Sequence, residues 1–162
     1  MVETILILIL IISLITDIKE RRILNIVTLP TIVFAFSYHF ISSGLDGLLF
    51  SVSGFFVGIG LLLIPFIMGG MGAGDVKLLA AIGALMGSLF VFYAFIYTAL
   101  IGGLIAVILL AKKKELFSSF RRMLFAAQTK TLDGVYKEDM HHAFPYGVPI
   151  VFGTFLNMGV LF

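Results

Sequence analysis

The stretch Gly69-Gly70-Met71-Gly72-Ala73-Gly74-Asp75-Val76-Lys77 sets a carboxylate inside a run of glycines, between two segments that are otherwise almost wholly apolar. An ionisable residue at the edge of a membrane-spanning region is costly to keep there and marks a candidate functional site. The glycines admit backbone conformations closed to other residues and let a second chain segment approach closely. Reading outward from this turn, the chain is 60% hydrophobic and only 12% charged. A soluble domain would show roughly 45–50% apolar residues and about a quarter charged. The composition therefore predicts an all-α, polytopic membrane protein and excludes an ordinary soluble or nucleic-acid-binding domain. With no cysteine, neither a disulfide framework nor a thiolate metal site is open to it.

About 20 mainly apolar residues cross a hydrocarbon core. On that basis six spans are expected, at 2–16, 26–42, 48–68, 75–87, 89–111 and 145–162, in a single membrane-embedded domain over 1–162. Met1-Val2-Glu3-Thr4 lacks the basic start of a secretory signal, so the first span reads as a retained helix. Asn25 stands where an N-cap would serve the second span. The apolar run from Leu78 to Ala111 is too long for one helix, and a break is expected between Gly83 and Ser88. The loop 112–144 carries Leu116, Phe117, Phe120, Met123, Leu124 and Ala127 at helical spacing, with Arg121 and Arg122 opposite. That pattern predicts an interfacial helix with its basic face toward anionic lipid.

Every Lys and Arg falls in the first, third or fifth loop: Lys19, Arg21 and Arg22, then Lys77, then seven between Lys112 and Lys137. The positive-inside rule assigns these loops to the cytoplasm. Both termini are then extracytoplasmic, and Asp17 and Asp75 share the cytoplasmic face. Two carboxylates a few ångströms apart cannot both ionise readily and share one proton. Such a pair can activate a water and protonate a leaving amine. Each aspartate is followed two residues on by a lysine, Lys19 and Lys77, and residues two apart on a helix do not share a face. The lysines can reach headgroups while the aspartates turn inward. His141 and His142, beside Glu138 and Asp139, read as a solvated loop rather than a metal site. His39 reads as internally hydrogen-bonded or interfacial. Gly58, Gly60, Gly102 and Gly103 read as helix-packing positions.

Three elements together resemble the type IV prepilin peptidase and prearchaellin peptidase family, membrane aspartic proteases of the GxGD class. They are Asp17 with Lys19, Arg21, Arg22, Ile23 and Asn25; Gly72-Ala73-Gly74-Asp75-Val76-Lys77-Leu78; and Phe144-Pro145-Tyr146-Gly147-Val148-Pro149. The resemblance implies Asp17 and Asp75 as the catalytic pair. It points to Gly72, Gly74, Lys19, Lys77, Asn25, Pro145 and Gly147 as substrate-binding or supporting residues. It implies no metal and no cofactor, and cleavage of the short basic leader of prepilin-like or archaellin-like precursors at the cytoplasmic membrane face. The cysteine-containing domain that bifunctional members use in methylating the new N-terminus has no counterpart here. Leu24 stands where the family often has proline. A transporter or pilus-assembly subunit using the two aspartates as a proton or cation site is the alternative, but it gives no reason for both to lie at one face.

Overall fold

The computed structural model describes residues 1–20, 23–112 and 146–161, and in these every regular element is a helix. Five helices follow in order: α1 (Val2–Glu20), α2 (Asn25–Ile67), α3 (Ala73–Met86), α4 (Ser88–Lys112) and α5 (Gly147–Leu161). The loop 113–145, with the expected interfacial helix, Pro145 and the His141-His142 pair, lies outside the described residues, as do Arg21 and Arg22. Asn25–Ile67 and Ser88–Ile108 are long and apolar enough to cross a membrane. Large apolar side chains such as Leu8, Ile15, Leu89, Leu100 and Leu104 stand exposed. An outward-facing apolar surface of this kind fits a bilayer, where lipid rather than water is the solvent.

The second and third expected spans are the two helical arms of α2, which meet at a sharp reversal. At Gly44 the backbone takes φ 63 and ψ −139, a conformation that glycine adopts without the Cβ penalty. The two arms lie antiparallel, since Phe36 meets Phe55 at a ring-centroid distance of 5.6 Å and His39 meets Phe50 at 5.1 Å. Each arm is about 20 residues, or roughly 30 Å, the thickness of a hydrocarbon core. The break expected between Gly83 and Ser88 falls at Gly87 (φ 86), the single residue between α3 and α4.

Helix α3 occupies the centre. From Val76 to Leu85 only Lys77 escapes full burial. The α2 hairpin reaches it through backbone contact. A Cβ on Gly54 would collide with the Gly83 carbonyl, and one on Gly83 with that of Gly54; at Gly58 it would meet Leu79 O at 2.6 Å. Ser51 Oγ donates to Ala84 O at 2.6 Å, and His39 Nε2 lies 3.0 Å from Leu85 O. Helices α4 and α5 pair antiparallel, with Asn157 Nδ2 donating to Phe90 O and Gly153 packed on Thr98. Of the glycines read as packing positions, Gly58 is in tight contact and Gly102 in ordinary contact with Pro149, whereas Gly60 and Gly103 face open space. Gly54, Gly83 and Gly153, which also pack closely, are not distinguishable by sequence from the rest.

This contrast gives a stability test. Gly83→Ala and Gly54→Ala should each lower the unfolding midpoint in detergent, since overpacking costs about 1–3 kcal/mol and here meets backbone that cannot turn aside. Gly60→Ala should be neutral or stabilising by up to about 1 kcal/mol from helix propensity. Equal midpoints for Gly83→Ala and Gly60→Ala would contradict the contact.

Candidate active site

The glycine run divides its work among three positions. Gly69 (φ 75) ends α2: its N–H donates to Phe66 O at 3.0 Å, and the Gly70 N–H to Pro65 O at 2.9 Å. Such paired bonds beyond a left-handed glycine close a helix C-terminus. Gly72 caps α3 in ordinary extended backbone (φ −82, ψ 153). Its N–H donates to Asp75 Oδ2 at 3.1 Å, so the aspartate in the first turn reaches back to the cap. Gly74 makes room for the first loop, because a Cβ there would stand 3.0 Å from Ile23 Cβ and 3.2 Å from Ile23 O. Asp75 is 8% exposed and sits at the positive end of the α3 dipole.

Asp17 comes from the other side of the bundle. Leu6, Ile9, Leu10, Ser13 and Asp17 form the buried stripe of α1 at helical three-and-four spacing, and Asp17 is 4% exposed. A carboxylate in a last helical turn meets the negative end of its own helix dipole. The N-terminus of α5 offsets this, with the backbone amides of Gly147 and Val148 directed at the Asp17 carboxylate. Gly147 is seated against the group itself: a Cβ there would lie 2.6 Å from Asp17 Oδ2. Asp17 is near enough to act electrostatically on Asp75. Two buried carboxylates from different helices thus lie at one end of the bundle, within electrostatic range of each other.

The flanking residues separate as the two-residue spacing predicts. Lys19 is exposed and Lys77 half-buried. The Lys77 Nζ donates to Asn25 Oδ1 at 2.9 Å, tying the start of α2 to the start of α3. This corrects the expected cap: Leu24 holds the N-cap position without a side-chain bond, and Asn25 lies in the first turn with its amide turned to Lys77. Asn25 does not cap because the helix already starts with it, one position past the cap, which leaves its side-chain oxygen to the cationic donor. His39 lies at the opposite end of the bundle, bonded to Leu85 O, and takes no part. Sequence reasoning missed the Val148 amide, which only the placement of α5 against α1 discloses.

Comparison with known proteins gives one match. A family model for the type IV leader peptidase family matches residues 4–107, which takes in Asp17, Asn25 and the whole glycine turn and stops short of α5. Searches of curated proteins and of solved structures find no match. The matched region covers more than half of the chain and both buried carboxylates, so the chain belongs to the type IV leader peptidase family.

Proposed function

We propose that this chain is a membrane aspartic endopeptidase that removes the short basic leader of type IV prepilin-like or archaellin-like precursors, with Asp17 and Asp75 as the catalytic pair. The observation that carries the reading is the meeting of these two buried carboxylates, one from α1 and one from α3, at a single end of an apolar bundle. One carboxylate takes a proton from a water, which attacks the scissile carbonyl. The other, protonated, donates a hydrogen bond to the developing oxyanion, and a proton then passes to the leaving amine. The Gly72 N–H fixes the Asp75 side chain, and the α5 amides support Asp17. The Asn25–Lys77 bond keeps the first loop beside the GxGD turn, where Lys19 and Lys77 can meet the precursor or lipid headgroups. Pro145 belongs to the same supporting set by sequence. This chemistry calls for no metal or cofactor.

In this reading residues 1–162 form one peptidase domain in the cell membrane. The two arms of α2 cross separately, giving six spans, and the carboxylate end faces the cytoplasm with both termini outside. The precursor's hydrophobic helix stays in the bilayer while its basic leader reaches the carboxylates. A leader-peptidase reaction of this kind needs no methyltransferase partner domain.

Three outcomes follow. Asp17→Asn and Asp75→Asn should each reduce precursor cleavage at least about 10³-fold while insertion and unfolding midpoint stay near wild type. The double variant should be little worse than either, since groups that act as a unit are not additive. Near-normal cleavage by Asp75→Asn, scored by a mobility shift of co-expressed precursor, would end the assignment. Gly147→Ala should cut kcat about tenfold or more, because its methyl group must displace the Asp17 carboxylate and a misplacement of about 1 Å can cost about 10²-fold. Unchanged kcat would mean that the carboxylate position is not critical. For topology, Lys19→Cys should label only from the cytoplasmic side and Asp46→Cys only from the other, in a chain with no cysteine background. Labelling of both from one side would refute the hairpin as two separate crossings.

A further inference from the structure

Buried hydroxyls in this bundle are satisfied in a regular way. Thr31, Thr98 and Thr154 each donate to the carbonyl four residues back at 2.7 Å, and Ser51 donates to Ala84 O across the α2–α3 contact. Ser13 and Thr28, each 1% exposed, make no such bond. Among the described residues, the buried side-chain atoms without a hydrogen-bond partner are Ser13 Oγ, Thr28 Oγ1 and Asp17 Oδ2. All three belong to the last turns of α1 or the first turns of α2, around the loop that joins them.

Ser13 has a specific relation to Asp17. It lies four residues earlier on the same buried stripe, so the two Cβ atoms stand about 5–6 Å apart. Helical side chains lean toward the helix N-terminus, which carries the Asp17 carboxylate back over Ser13 rather than away from it. The Ser13 hydroxyl is a donor and Asp17 Oδ2 an acceptor, and neither atom has a hydrogen-bond partner. Both atoms are closed off from water, so the partner each can find without opening the fold is the other.

We propose that Ser13 is a positioning residue for Asp17: its hydroxyl turns to donate directly to Asp17 Oδ2. The carboxylate is then held from two sides, by the α5 amides and by the Ser13 hydroxyl, which fixes its rotamer. The catalytic consequence rests on the reading of Asp17 as a reacting carboxylate; the Ser13–Asp17 link does not.

Purified enzyme carrying Ser13→Ala, Ser13→Val or Ser13→Thr tests this. Ala and Val should lower kcat about tenfold, as loss of a supporting hydrogen bond does elsewhere, with KM within about twofold of wild type. Thr, which has the shape of Val and keeps the hydroxyl, should restore most of the loss. Equal kcat for Val and Thr, or an unchanged kcat for Ala, would overturn the proposal, and the Val–Thr pair decides the matter even where Ala does not fold. A second arm needs no catalysis. Thermal unfolding of Ser13→Ala, Asp17→Ala and the double variant should be non-additive, the double melting no lower than Asp17→Ala alone. Additive losses would refute the link. A non-additive cycle in a protein that cleaves no precursor would refute the peptidase reading and leave the link standing.

Discussion

The backbone-to-backbone contact between the α2 hairpin and α3 is what the rest of the structure depends on. Gly54 and Gly83 meet carbonyl to Cα, and Gly58 rests on Leu79 and Ala80. In an apolar solvent helices gain nothing by hiding leucine from lipid, so association depends on close van der Waals packing and on small residues that allow it. Once α3 is seated against both arms, its other sides are covered by α1, α4 and α5. Its first turn is then the place where polar groups can be both buried and brought together. Asp75, held by the Gly72 N–H, and Asp17, brought by α1, are thereby placed in one another's field.

The electrostatic arrangement around the two aspartates is unequal. Asp75 sits at the N-terminus of its own helix, which favours negative charge. Asp17 sits near the C-terminus of its own helix, which opposes it, and borrows the N-terminus of α5 instead. The side-chain space that α5 needs for this exists only because residue 147 has no Cβ. The third sequence element thus belongs to the site through backbone, not through any side-chain chemistry of its own.

Much of this was legible in the sequence where a residue type has few uses in an apolar chain. Asp17 and Asp75 stood out because carboxylates are rare there, and the alternation of Lys and Arg between loops placed them together. The break before α4 was readable to within a few residues from its glycines. The positions that were not legible depend on pairing across the fold. Nothing local separates Gly54, which meets α3, from Gly60, which faces open space. Asn25 looked like a cap because its neighbourhood in the chain is a helix start, and only the approach of Lys77 from α3 gives its oxygen another partner. The turn expected between two spans is there, but it is tighter than the sequence suggested, the reversal being made at the single positive-φ residue Gly44.

The lengths of the helices bear on where the site lies in depth. Helix α3 has 14 residues and α5 has 15, while α4 has 25. At 1.5 Å per residue, the two short helices span roughly 21–23 Å, less than a hydrocarbon core of about 30 Å. Both begin at the carboxylates. Hydrophobic mismatch of this size is met by local thinning of the bilayer around the short elements. On the topology proposed above, thinning around α3 would leave the carboxylates at the floor of a dimple in the lipid surface, walled by the longer helices. Water and a polar segment can descend to that floor without crossing an apolar barrier, while an adjacent hydrophobic helix remains at its usual depth.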